Sequence, residues 1–291
     1  MDSNLCLSGG CAMTTQVQPQ DKTVNANGLN LHYLDWGNTG KPTLVLIHGL
    51  RGHAHSWDDV SASLCHDFHV LSLDQRGRGD TDWAPDGDYD TDAYVADLEG
   101  FCDALGLDSF ILCGHSMGAR NGMTFASRHP EKLGKLILVD MGPDINREGG
   151  QRISRELVEV PEEFDSFEAV VEYMTKQNRF ASDSVIRRRL TYATKLLSNG
   201  KIGWKYDLAI REARRQGTVP PNQDLWPEIP NITCPTLIVR GSDTDILTPE
   251  TAQRMVEVMP NAQIVEIPRS GHMVFEDNPS DFNTAVGAFL K

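Results

Sequence analysis

Phe110-Ile-Leu-Cys-Gly-His-Ser-Met-Gly118 is the stretch whose reading decides the fold. The apolar run at its start reads as a short buried strand, and Gly114-His-Ser-Met-Gly118 then turns the chain. A helical pattern follows, from Ala119 through Ala126 to His129-Pro130. A serine hydroxyl becomes a nucleophile only where it projects clear of its neighbours and a base can reach it. A sharp strand-to-helix turn gives Ser116 that exposure at the cost of strained backbone, and a glycine two places to either side leaves room for the bend. The new helix also aims its free N–H groups and positive dipole end at the apex, which favours an oxyanion developing there.

Upstream of this turn, Leu29 to Trp36 alternates as a half-exposed strand, and Thr43-Leu-Val-Leu-Ile47 is a continuous apolar run typical of a strand buried on both faces. Phe68 to Leu73 is the next strand and runs into Asp74-Gln-Arg-Gly-Arg-Gly-Asp80. Tyr94, Leu98, Phe101 and Leu105 recur at helical spacing, with Thr91 or Asp92 placed to cap the helix and Gly106 to end it. Downstream, Lys135 to Asp140 is a further strand.

From Met141 to Cys234 no buried strand is apparent, and three Arg- and Glu-rich segments have helical periodicity before Pro220, Pro221, Pro227 and Pro230 punctuate a loop. This reads as a helical insertion, with bounds at 147–230. Alternation resumes with a strand at Thr236–Arg240, a helix near Thr248–Met259, a strand at Gln263–Ile267 and a last helix from Ser280 to Phe289. Buried strands alternating with helices imply a mostly parallel sheet with helices on both faces, and active residues at the carboxyl ends of its strands.

A chain of 291 residues buries roughly three quarters of its unfolded surface, enough for one large core with an inserted subdomain. The net charge of −14 argues against nucleic acid or an anionic membrane as partner, since both demand a basic face. No apolar run approaches the roughly 20 residues of a membrane span. Residues 1–22 read as a disordered tail without the features of a signal peptide. The six cysteines show no C-x-x-C pair and no zinc spacing, so they are expected to be reduced and the protein cytoplasmic.

On its elbow and on a histidine loop near the C-terminus, the chain resembles the α/β-hydrolase family, from about Thr23 onward. The resemblance implies an eight-stranded sheet with a helical cap inserted between the sixth and seventh strands. It also implies a serine nucleophile, an aspartate and a histidine, met in that order along the chain. Of the nine histidines only His129 and His272 follow Ser116, and His129 sits at a helix end before Pro130. His272, in Ser270-Gly-His-Met-Val-Phe275, follows the last strand and matches the family's histidine loop. Asp245, in Gly241-Ser-Asp-Thr-Asp-Ile-Leu-Thr-Pro249, resembles the usual position of the acid, and Asp140 is the alternative acid, a site some members use instead. Asp243 reads as a turn-former. The oxyanion donors implied are the backbone N–H groups of Met117 and Leu50, the latter in His48-Gly49-Leu50. Asp74 to Gly79 resembles a structural family loop.

The expected activity is hydrolysis of a small carboxylic ester by acyl transfer. The alternatives are an amide, lactone or C–C bond hydrolase acting on a carboxylate-bearing metabolite, and a ligand receptor that keeps the triad without turnover. Arg51 and Arg120, with Arg147 and Arg152 near the mouth, are candidates to clamp a substrate carboxylate. His53 and His55 share a loop but have no third ligand at sensible spacing, so no metal and no cofactor is expected.

Overall fold

A computed structural model describes residues 17–291. Strands β1 (Gln20–Ala26) and β2 (Leu29–Asp35) form an antiparallel hairpin, followed by β3 (Thr43–Ile47), α1 (Asp58–Leu64), β4 (His69–Leu73) and α2 (Thr91–Leu105). Then come β5 (Phe110–His115), α3 (Met117–Arg128) and β6 (Leu133–Val139). After a long insertion the sheet resumes with β10 (Thr236–Gly241), α8 (Pro249–Val258), β11 (Ala262–Ile267), α9 (Val274–Asp277) and α10 (Pro279–Leu290). The eight strands run in the order β1-β2-β4-β3-β5-β6-β10-β11, parallel from β4 onward. Crossover through helices produces this order, because a parallel neighbour cannot be reached by a tight hairpin.

The central strands alternate between two apolar layers. Val45, Ile47, Leu112, Leu136 and Leu138 face one layer, while Leu44, Leu46, Cys113, Ile137 and Val139 face the other. Both faces are therefore dry, which is why these strands read as unbroken apolar runs. β3 pairs with β5 as far as Ile47 opposite Gly114, so its carboxyl end delivers His48-Gly49-Leu50 beside the end of β5.

Two expectations need correction. The eighth strand is β1, which begins inside the segment read as a tail; residues 1–16 of that segment lie outside the described residues. β1 alternates exposed and half-buried side chains at the sheet's edge, so its composition is that of a polar tail and only pairing with β2 makes it a strand. The insertion is also not purely helical. Besides α4 (Arg147–Glu159), α5 (Phe167–Gln177), α6 (Asp183–Ala193) and α7 (Ala209–Gln216), it contains a small antiparallel sheet in the order β7-β9-β8, from β7 (Glu163–Phe164), β8 (Thr194–Leu196) and β9 (Ile202–Trp204). Strands of two or three residues are too short to carry a period. Val160, Phe164, Val170, Ile186 and Leu190 give the insertion a core of its own. Among the described residues no helix is long and apolar enough to cross a membrane.

Candidate active site

Ser116 stands between β5 and α3 with φ 53° and ψ −116°, a left-handed backbone that a non-glycine residue adopts only under constraint. The constraint is packing on both sides of the bend. A side chain on Gly114 would run into the Gly118 carbonyl, and one on Gly118 would run into the carbonyls of Ile47 and His48. The two glycines are thus required by close backbone approach, which lets α3 start directly against the end of β3. The Ser116 N–H donates to the Val139 carbonyl at 3.0 Å, tying the apex to the neighbouring strand.

His272 reaches this apex from the far end of the chain. Its Nε2 lies 2.9 Å from Ser116 Oγ, and its Nδ1 lies 2.8 Å from Asp140 Oδ2. Asp140 is wholly buried (0 % exposed) and sits just past the end of β6 with φ 51°. Its other donors are the Gly241 N–H at 3.2 Å and the Thr244 hydroxyl at 2.6 Å, so a carboxylate out of water has its lone pairs occupied. With Nδ1–H donating to Asp140, Nε2 is left as the acceptor facing the serine hydroxyl.

Asp245, favoured from the sequence, is not brought to His272. Arg152 of α4 grips it with two hydrogen bonds of 2.6 and 2.7 Å, and these hold its carboxyl below the usual range. The reason is strand order: β6 lies between β5 and β10, so the residue after β6 is one strand nearer the elbow than the loop after β10. Asp243 accepts from its neighbour Ser242 at 2.8 Å.

The histidine loop is anchored at several points. Ser270 Oγ donates to the Ile267 carbonyl at 2.8 Å, the Gly271 N–H donates to Asp277 at 2.9 Å, and His115 Nε2 donates to the His272 carbonyl at 2.8 Å. His115, beside Ser116 in sequence, was not singled out by sequence reasoning; any residue fits that position of the pattern, so no signal marked it. Burial, and then the neighbouring His272, keep its pKa far below the usual histidine value, so it stays neutral with a proton to give.

The loop after β3 lies against the elbow. A side chain on Gly49 would come within 2.8 Å of His115 Nδ1 and 3.1 Å of Ser116 Cβ. His48 is held by the Gln75 N–H on its Nε2 (3.0 Å), with the Gln75 amide donating to the His48 carbonyl (2.6 Å), and Asn121 of α3 supports Gln75 at 2.8 Å. Burial drops the His48 pKa to about 4. The Leu50 carbonyl accepts from Arg78 Nε at 2.8 Å. Leu50 and Met117 therefore flank the serine, Leu50 with its carbonyl turned toward Arg78.

Both arginines proposed as a clamp are held by other protein groups, Arg120 through Nη1 and Nη2 with its buried Nε unpartnered. Arg51 donates to Glu156 at 2.8 Å, and Arg120 donates to the Pro143 and Gln223 carbonyls, tying together the two ends of the insertion. Arg147 opens α4 at the surface. His53 Nε2 donates to the Arg189 carbonyl at 3.0 Å, and the His55 ring stacks on Tyr192 with centroids 3.5 Å apart. Among the described residues the potential three-donor cluster is instead His32, Asp74 and Asp80. Its centre, Asp74, accepts from His32 Nδ1 (2.7 Å) and from the N–H groups of Ala54 (2.6 Å) and Asp80 (3.0 Å); burial would raise its pKa, but His32, the nearby His48 and the Asp80 N–H lower it to about 2. It is a brace between loops.

Ser116 opens onto two cavities, of about 530 and 880 Å³, each of a size for a small molecule. The smaller runs between His48 and His272 on the core side and Arg152, Glu156, Trp204 and Tyr206 on the insertion side. The larger runs toward α2 and α7.

This architecture has known counterparts. N-formylmaleamate deformylase of Pseudomonas putida is 32 % identical over 272 residues, covering 92 % of this chain and 95 % of that protein. The sn-1-specific diacylglycerol lipase ABHD11 of Mus musculus is 28 % identical over 90 % of this chain and 85 % of its own. The crystal structure of an alpha/beta hydrolase from Novosphingobium aromaticivorans superposes with a TM-score of 0.83 at 28 % identity, covering 94 % of this chain and 98 % of that one. The profile of the Alpha/beta hydrolase family matches residues 44–285, and the chain belongs to that family.

Proposed function

We propose that the protein is a serine hydrolase that cleaves a small carboxylic ester by two-step acyl transfer. The observation that carries this reading is the pair of hydrogen bonds, 2.9 and 2.8 Å, linking Ser116 through His272 to Asp140. In the first step Ser116 Oγ attacks the carbonyl carbon while His272 Nε2 takes the hydroxyl proton. Asp140 holds the imidazole by Nδ1–H and stabilises its positive charge. The Leu50 and Met117 N–H groups stabilise the oxyanion, each such donor lowering the barrier by about 3 kcal/mol. The leaving alcohol departs with the proton from His272. A water then gives a proton to His272 and adds its hydroxide to the acyl carbon; collapse releases the carboxylic acid and returns the proton to Ser116 Oγ.

The 147–230 insertion serves as the cap, since α4 and β9 furnish the outer wall of the smaller cavity. No cofactor or metal takes part in this scheme. A cytosolic location suits the four described cysteines, all buried free thiols. Cleavage of an amide in place of an ester is the second reading, favoured by the 32 % identity to a protein named as a deformylase.

The test is turnover of short-chain nitrophenyl esters together with labelling by a serine-directed phosphonate. Multiple turnovers, with label on the Ser116 peptide and both lost in Ser116→Ala, are expected. A single burst without turnover makes the protein a receptor, and label elsewhere removes the nucleophile assignment.

A further inference from the structure

The arginines around the two cavities are neutralised differently. Facing the smaller one, Arg51 pairs with Glu156 at 2.8 Å, Arg152 with Glu156 and Asp245 at 2.6 Å each, and Arg189 with Glu276 at 2.6 Å. Facing the larger one, Arg78 and Arg214 make no ion pair with any described residue.

Arg78 is 1 % exposed. Its Nε donates to the Leu50 carbonyl (2.8 Å) and its Nη1 to the Arg76 carbonyl (3.0 Å) and the Tyr94 hydroxyl (2.9 Å). Nη2 meets only the weak acceptor Met117 Sδ at 3.9 Å. The guanidinium lies against the rings of Tyr89 and Tyr94, 5.7 and 5.8 Å from their centres. The Tyr94 hydroxyl accepts from Arg78, and its own proton has no acceptor among the described residues. Arg214, on α7, uses one Nη1 bond of 3.1 Å to the Ile210 carbonyl of its own helix. Burial and the nearby charge of Arg78 both lower its pKa, as expected for two cations facing each other without an anion.

The acids that border this cavity are engaged elsewhere. Asp90 caps α2 through the Ala93 N–H (2.8 Å), Asp88 accepts from the Asp90 N–H (3.1 Å), and Asp92 holds Arg128 (2.6 Å). Asp207, outside the lining, is bound by the lining residue Tyr89 through its hydroxyl at 2.5 Å. A buried guanidinium short of a carboxylate is costly to maintain unless an anion completes it.

We propose that Arg78, Tyr94 and Arg214 receive a carboxylate of the substrate, so that the molecule cleaved is an anion such as the half-ester of a short dicarboxylic acid. The inference rests on the serine-hydrolase reading and names its substrate class. A short spacer follows from position: Arg78 touches the Leu50 carbonyl and the Met117 side chain, the two residues that flank the reacting carbonyl. Two cations and a hydroxyl donor match the two oxygens of a carboxylate, each charge-assisted bond being among the stronger kinds.

The experiment compares 4-nitrophenyl hemiglutarate with 4-nitrophenyl butyrate, in the wild type and in Arg214→Gln, and follows the melting temperature with added glutarate or inorganic phosphate. The wild type is expected to prefer the hemiglutarate by about 10-fold or more in kcat/KM. Arg214→Gln should lose about 10- to 100-fold on the hemiglutarate, mainly through KM, and at least 10 times less on the butyrate. Arg214→Lys should fall between. Preference for butyrate, or equal losses on both esters, overturns the proposal. If neither ester is turned over and Ser116 takes no label, the hydrolase reading fails, and the melting temperature decides the site alone. Stabilisation by glutarate that disappears in Arg214→Gln keeps the carboxylate site; no shift, or a stronger shift with phosphate, overturns it.

Discussion

β6 and β10, neighbours in the sheet, both run into an aspartate loop at their carboxyl ends, and only one of the two aspartates meets His272. Asp140 is wholly buried, with two donors besides His272 and no cation. Asp245 is 44 % exposed at its side chain and clamped by Arg152. A carboxylate that must orient an imidazole needs a fixed dry site and a free oxygen; one already spent on a guanidinium fastens the insertion to the core instead. The difference teaches that an acid's role follows from the donors around it more than from its place in a motif.

The comparison can be broken at its root by Ser116→Ala, which should lower kcat by about 10⁶-fold while leaving the fold intact. Asp140→Asn should lower kcat by about 10³- to 10⁴-fold with little change in KM, because the amide presents the wrong hydrogen to Nδ1. Asp245→Asn under the same assay should change kcat by less than about threefold. Steady-state kinetics on one ester, with melting curves to exclude unfolding, checks all three, and a reversed order for the two aspartates would sink the assignment of the acid.

A third aspartate sharpens the contrast. Asp277, behind the histidine loop, has the Gly271 N–H as its donor, and burial raises its pKa from 3.8 to about 6. The native state therefore binds this proton more tightly than the unfolded chain. Stability from the group is fully present below pH 3.8 and is lost as pH rises through about 6. Asp277→Asn should stabilise the protein by about 1 to 3 kcal/mol at pH 8 and by almost nothing near pH 3.5, read from denaturant unfolding at the two pH values. The smallest effect is expected for Arg152→Met. Its pair with Asp245 is 37 and 44 % exposed, so the stability change should stay below about 1 kcal/mol and shrink further in high salt.

Much of this arrangement was legible because its causes are local. The elbow declares itself in Gly114 and Gly118, whose missing side chains admit neighbouring carbonyls, and the buried strands declare themselves in unbroken apolar runs. His272 followed from chain order. Which aspartate faces His272 was not legible, since Asp140 and Asp245 both follow apolar strands and only the placing of β6 between β5 and β10 separates them. β1 and the three short strands of the insertion exist through pairing, with too little period to show in sequence. Arg51 and Arg120 looked available because their partners, Glu156 and the Gln223 carbonyl, lie more than a hundred residues away. The recess of Arg78, Tyr94 and Arg214 is assembled from a loop and two helices that no spacing rule connects.

The long insertion departs after Asp140 and rejoins at β10, so the serine and its aspartate lie upstream of it on adjacent hydrogen-bonded strands, and the histidine alone lies downstream. On the proposed mechanism, swapping that one contiguous block for a foreign one is expected to leave the Ser116, His272 and Asp140 side chains seated on the sheet and to alter what is admitted to them. On that reading the polypeptide is a socket with an exchangeable gatehouse, and two splice points are where new selectivity would be grafted.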